Sequence, residues 1–282
     1  VDEITAEYSL DALTVRRPLE VRPRVTVACK TDLGRVRDNN EDKFEFYLPE
    51  EEAVLANRGL TFVVCDGMGG HEAGQIASEL ATKTFLDVYY HHPSEDVVTA
   101  CREAVRAANR YVLDVAHAIP SRRGMGTTLS ALVLLQREVI VTHVGDSRVY
   151  RLREGVLAPL TMDHTWVQQA LVQGEISREE AEHHPYRNVL MRAIGTEADV
   201  ACDVTRYDLR AGDIYLLCSD GLTGEISEEL IAQRLSELGP SEAAWKLVGD
   251  ALAAGGRDNC TVLIVRVDAL EGAGTESAEV GV

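Results

Sequence analysis

The sequence predicts an α+β domain in which antiparallel strands are layered against pairs of helices. Three observations lead there: β-branched runs bounded by Gly, Asp or Asn, central runs too closely spaced for crossover helices, and helical periodicity that arrives two segments at a time. The strand runs are 25–29, 60–65, 127–135, 139–144, 148–152, 214–218 and 261–267. The three in the middle are expected to form one antiparallel meander.

Two helices are expected before the meander, over about 74–90 and 95–116. The second places Val97, Cys101, Ala104, Val105, Ala108 and Val112 on one face. A further pair is expected near 227–235 and 241–253. Residues 1–23 read as a leader, 24–267 as one domain and 268–282 as a small, acidic, mobile tail. Residues 159–195 are polar and helical between strand-rich regions, as an insertion over one end of the sheet would be.

With 28 Lys and Arg against 46 Asp and Glu, the net charge of −18 repels nucleic-acid backbones, so nucleic acid is not expected as a partner. The six cysteines are too dispersed for a zinc knuckle and mostly sit in apolar runs, as buried thiols of a cytoplasmic protein do. No apolar run of about 18 residues is present, so no membrane span is expected. The start at Val1 rather than Met reads as a processed or excised chain, which leaves an upstream anchor open.

The informative carboxylates stand at strand ends beside glycine. The run 60–65 enters Asp66-Gly67-Met68-Gly69-Gly70, and 214–218 enters Ser219-Asp220-Gly221. Val144-Gly145-Asp146-Ser147 and Gly256-Arg257-Asp258-Asn259 repeat the arrangement. Glycine lets the backbone turn sharply, so a carbonyl or carboxylate can approach an ion. One Asp-Gly is only a turn. Four acidic strand ends in one sheet would repel one another unless a cation neutralised them. Arg37-Asp38-Asn39-Asn40-Glu41-Asp42 adds a guanidinium fork, suited to bidentate grip on phosphate, beside two more acids.

Taken in order, Arg37-x-x-Asn40-Glu41-Asp42, Asp66-Gly-Met-Gly-Gly-His71, Gly124-Met-Gly-Thr-Thr128, Val144-Gly-Asp-Ser-Arg148, Leu160-Thr-Met-Asp-His164, Arg192-Ala-Ile-Gly195, Cys218-Ser-Asp-Gly-Leu222 and Arg257-Asp-Asn259 resemble the metal-dependent serine/threonine protein phosphatases of type 2C, in particular bacterial single-domain members. The resemblance spans about residues 25–267. It implies a β-sandwich of two antiparallel sheets flanked by helix pairs, with strand ends converging on two Mn2+ or Mg2+ ions.

On that resemblance Asp66 bridges the ions, Gly67 (through its carbonyl) and Glu41 serve one of them, and Asp42, Asp220 and Asp258 complete the set directly or through water. Asp146 with Asp220 matches a third, weaker site. Arg37 is expected to clamp phosphate while activated water attacks phosphorus in line. Asn259 and His71 are expected to support the ligands from behind. Some eukaryotic relatives place a histidine directly after the Asp-Gly pair as a candidate general acid; here Met68 stands there, so the acid is unassigned, with His71 or a water on the metal as its stand-ins. The segment 159–195 matches a flap bordering the active site and is expected to bear on substrate choice.

The implied partners are phosphorylated proteins and a cognate serine/threonine protein kinase, with the chain acting as a cytoplasmic monomer. One rival reading is a catalytically inactive phosphatase fold used for binding or sensing. Another is a structural calcium domain, against which stand the missing Asp-x-Asp-x-Asp-Gly loop and the arginine among the acids. A P-loop is disfavoured because no Gly-Lys-Ser/Thr follows the glycines at 67–70.

Overall fold

The structure, a computed structural model, describes residues 17–70 and 72–272. In chain order these form β1 (Val21–Asp32), β2 (Lys43–Tyr47), α1 (Glu52–Arg58), β3 (Leu60–Cys65), β4 (Gly67–Met68), α2 (Glu72–His91), α3 (Val97–Ala118), β5 (Gly126–Thr127), β6 (Leu129–Leu135), β7 (Glu138–Val144), β8 (Arg148–Arg153), β9 (Val156–Pro159), α4 (Trp166–Gln173), α5 (Arg178–His183), β10 (Asp203–Asp208), β11 (Ile214–Cys218), α6 (Asp220–Thr223), α7 (Glu228–Glu237), α8 (Pro240–Ala254) and β12 (Cys260–Gly272). Two five-stranded antiparallel sheets, ordered β1-β12-β11-β8-β9 and β10-β7-β6-β3-β2, face each other, and β4 pairs with β5 in a short ribbon.

Period-two alternation sorts each strand's side chains between two cores. From β3, Phe62 and Val64 enter the core between the sheets with Leu132, Leu217 and Leu263, while Val63 and Cys65 face the α2–α3 layer with Ala77, Phe85 and Ala104. On the opposite outer face, Leu216, Val262 and Ile264 meet Ile231 of α7 and Leu247 of α8. Both faces of the central strands are covered, so β3 and β6 are buried along their whole length. Each fully buried Leu, Val or Phe contributes about 1.5–3 kcal/mol. The result is four layers, helix pair, sheet, sheet and helix pair.

The expected meander is corrected. β6 and β7 form an antiparallel hairpin, but β8 pairs with β11 and β9 in the other sheet. β7 has no vacant edge, because β10 occupies its other side. The chain therefore crosses between sheets at Gly145-Asp146-Ser147. Gly145 has φ +108°, and a Cβ there would collide with the side chain of Thr128.

Strand pairing also reaches past the expected boundaries at 24 and 267. Val21 pairs with Gly272 across a bulge at Arg24/Val25, and Leu19 and Leu270 pack on the inter-sheet core. The remainder of the expected leader and tail, 1–16 and 273–282, lies outside the described residues. Among the described residues no helix is long and apolar enough to cross a membrane.

At the far end of β11 from Asp220, buried Asp213 accepts hydrogen bonds from Arg153 Nε (2.6 Å) and Nη2 (2.7 Å), Arg210 N (2.9 Å) and the Tyr215 hydroxyl (2.8 Å). Arg153 is itself largely covered, so losing the acid strands a guanidinium. Asp213→Ala is expected to lower unfolding stability by about 3 kcal/mol, read from the urea midpoint.

Candidate metal centre

The acids gather because strand ends do. β3, β7 and β11 finish, and β2 and β12 begin, at one end of the sandwich, which delivers Asp66, Asp146, Asp220, Asp42 and Asp258 to a common cleft. Arg37 and Glu41 come from the loop joining β1 to β2.

Backbone clamps hold each contribution. Asp66 N donates to Thr128 Oγ1 (2.8 Å) and Thr128 N to the Asp66 carbonyl (2.9 Å). The Glu41 carbonyl accepts from Ser78 Oγ (2.6 Å) and Gly67 N (3.2 Å). A Cβ on Gly74 would occupy the space of the Glu41 carboxylate and press on the Gly67 backbone, so glycine in α2 leaves room for both. Asn259 ties down the β1–β2 loop at three points, accepting from Glu41 N (2.8 Å) and donating to the carbonyls of Leu33 (2.9 Å) and Asn39 (3.0 Å). Ser219 Oγ donates to Asp42 Oδ2 (2.7 Å) and accepts from Thr261 N (3.0 Å).

The electrostatics are those of crowded negative charge. Burial, with repulsion from Asp220 and Asp258, pushes the Asp42 carboxyl up to about 7 despite hydrogen bonds from Thr261 and Ser219. Burial and then Asp220 and Asp163 push Asp146 up to about 8. Burial followed by Asp42, Asp220 and Asp146 drives Asp66 well above the carboxylate range, and burial followed by Asp258 raises Asp220. Asp66, Asp146 and Asp220 are partly exposed at the cleft. Arg37 offers the nearby opposite charge, its Nη2 donating to Asp258 Oδ2 at 2.6 Å from the half-exposed cleft mouth.

These residues fit hard divalent cations. The donors are all oxygen, and Asp42 Oδ1 is buried without a hydrogen-bond partner. Among the described residues no group of three acids, histidines or cysteines stands close enough to hold one ion by itself.

All the sequence-derived candidates that are described, Arg37, Glu41, Asp42, Asp66, Gly67, Asp146, Asp220, Asp258 and Asn259, lie at this one end; His71 lies outside the described residues. Sequence analysis passed over Ser219 and Gly74, and took Thr128 as merely part of a strand. The signals available were a hydroxyl directly before Asp220 and a glycine in the first turns of α2. Beside Asp146, Arg148 grips Asp163 through Nε (2.9 Å) and Nη2 (2.7 Å) at the start of the segment 159–195. That segment covers a groove of about 1070 Å3 that opens onto Asp146 and Asp220.

Residues 35–257 match the family model described as protein phosphatase 2C, and the chain belongs to that family. The serine/threonine protein phosphatase PstP of Mycobacterium tuberculosis is 40% identical over 240 residues, covering 85% of this chain and 44% of that protein. This chain thus spans less than half the length of that relative. The serine/threonine phosphatase stp of Listeria monocytogenes is 38% identical over 244 residues, covering 85% of this chain and 94% of that protein. The crystal structure of the PstP catalytic domain in complex with two manganese ions superimposes with a TM-score of 0.74 at 37% identity, covering 86% of this chain and 97% of that one.

A carboxyl whose pKa is higher folded than unfolded binds extra protons in the folded state, so its contribution to stability is lost as pH rises toward the folded value. Asp42 and Asp146 set that window from about pH 4, the ordinary carboxylate range, up to about 7 and about 8. In chelator, the thermal midpoint is expected to fall as pH is raised from about 5 to about 8, and saturating manganese is expected to flatten the slope, as scanning calorimetry would show.

Proposed function

We propose that this chain hydrolyses phosphoserine and phosphothreonine in other proteins, with water as the nucleophile and two Mn2+ or Mg2+ ions as cofactors. The convergence of Glu41, Asp42, Asp66, Asp220 and Asp258 beside the Arg37 guanidinium carries this reading. The named activity of the relatives, and the two manganese ions in the PstP catalytic domain, support it.

In this reading Asp66, Glu41, the Gly67 carbonyl, Asp42, Asp220 and Asp258 would hold the two ions, with Asp66 shared between them and the others serving directly or through water. Asp146 with Asp220 would hold a third, weaker ion. When bound, the cations polarise the phosphate oxygens and make water nucleophilic at neutral pH. Arg37 leaves Asp258 to take two phosphate oxygens in its planar fork, which offsets charge as phosphorus is attacked. A lysine cannot reproduce that fork.

The substrate polypeptide lies in the groove under the segment 159–195. Arg178, Arg187 and Arg257 and the apolar Val167, Leu171 and Ile176 line it. Arg178 and Arg187 are exposed, so their charge faces an acidic chain entering the groove. A serine/threonine protein kinase would supply such substrates.

With manganese, the protein is expected to hydrolyse p-nitrophenyl phosphate and phosphothreonine peptides, and chelator is expected to abolish both activities. Asp220→Asn and Arg37→Ala should each reduce kcat/KM by about 100-fold or more, with Arg37→Lys closer to alanine than to the parent. A parent protein inactive with manganese would favour a binding module instead. Arg178→Glu with Arg187→Glu is expected to raise the phosphopeptide KM about tenfold while aryl phosphate hydrolysis stays within about twofold. Equal losses on both substrates would count against the groove.

A further inference from the structure

His164 is buried, belongs to the Leu160-Thr-Met-Asp-His164 segment, and has no part in the chemistry above. Its backbone N donates to the Gly145 carbonyl (2.7 Å), and its ring Nδ1 accepts from Gly145 N (3.1 Å). One residue thus holds both polar groups of Gly145, whose neighbour is Asp146. Gly145 is an N–H donor, so Nδ1 must present a lone pair and the neutral ring carries its proton on Nε2. Nε2 stands 3.1 Å from Asp203 Oδ2 and donates to it. Arg192 Nη1 also stands 3.1 Å from Nε2, but an arginine only donates, and its acceptor is Asp203 Oδ1 at 3.1 Å. The ring is therefore fixed in one tautomer between Asp203, the first residue of β10, and the β7–β8 crossover.

The same residue forms the neck of the segment over the groove. The His164 carbonyl accepts from Met191 N (2.7 Å), Thr165 bridges Leu190, and Trp166 N donates to the Val189 carbonyl (2.9 Å). On its other side the ring packs on His143, 4.7 Å between centroids, and His143 is paired in register with Asp203.

We propose that His164 is a positioning residue that, through Nδ1 and the Gly145 peptide, holds the Asp146 carboxylate where it shares a cation with Asp220. This rests on the reading of Asp146 as a cation ligand. An asparagine Oδ1 can replace Nδ1 as acceptor but cannot reach Asp203, whereas a glutamine amide can reach Asp203 and offers nothing at the Nδ1 position.

The test compares His164→Asn, His164→Gln and Asp146→Asn in the full chain by manganese calorimetry, together with hydrogen exchange of the Gly145 amide in chelator. In His164→Gln the weakest manganese class should loosen by about tenfold and the Gly145 amide should lose protection, while His164→Asn stays close to the parent in both. Asp146→Asn should abolish the weak class. If it leaves the titration unchanged, the Asp146 reading falls and the proposal with it. If Asp146→Asn abolishes the class while His164→Gln matches the parent, or if Asn and Gln impair equally, the positioning role alone is overturned. Should His164→Gln fail to fold, His164→Ala removes the Nδ1 acceptor, for which His164→Asn supplies a substitute. Faster Gly145 exchange with a loosened weak class then supports the role, and parental behaviour overturns it.

Discussion

Repulsion among buried carboxylates is the interaction around which the cleft is organised. Asp42, Asp66, Asp146 and Asp220 are each pushed upward, first by burial and then by neighbouring carboxylates, Asp258 in the case of Asp220, while Arg37 at the mouth and Arg148 beside Asp146 offer opposite charge. Side chains free to move would separate. Here they stay together because their backbones are committed elsewhere, in the Thr128 clamp on Asp66, the three-way Asn259 tie and the Ser219 bridge to Asp42. The scaffold thus stores electrostatic free energy that a pair of divalent cations would release, which couples cation binding to stability.

A sandwich covered by helices on both outer faces is well suited to this. Its central strands are apolar on both sides, so charge is tolerated only where strands end. Five strand termini at one end concentrate the acids there, while Asp213 and Arg153 satisfy each other at the far end of β11. The β7–β8 crossover is the least regular piece. It exists because β10 fills the edge of β7, and it brings Asp146 between the sheets beside Asp220.

Much of this was legible in the residues. Long β-branched runs such as 60–65 and 261–267 and the amphipathic face from Val97 to Val112 announce fully covered elements, and the Asp-Gly strand ends announce the cleft. The missed elements are marginal ones. β2, β9 and β10 are edge or near-edge strands whose exposed faces carry Lys43, Glu45, Arg206 and Asp208, so their alternation is diluted by charge. α1 has only seven residues, too few for a periodic signal. The false meander has a different origin: short spacing argues for antiparallel neighbours but cannot report that a strand's other edge is taken by a segment some sixty residues later. The clamps at Ser219 and Thr128 were invisible for a similar reason, since a hydroxyl's acceptor lies on another strand.

The Arg37–Asp258 pair shows how such a cleft can be tight without cations and open to substrate. With Arg37 half exposed, the pair contributes little to stability, because water solvates both partners and salt screens them. It is nevertheless short and directional, so it keeps the guanidinium beside the acids. On the proposed reading a cation taking Asp258 would free the fork, and a phosphate taking the fork would free Asp258. The two ligands would then displace the same weak contact from opposite sides, and each would leave the other's binding group unencumbered. A stronger, buried pair at this position would have to be broken at a cost of several kcal/mol before either could bind. The exposure of Arg37 is thus a requirement of the site as much as its charge.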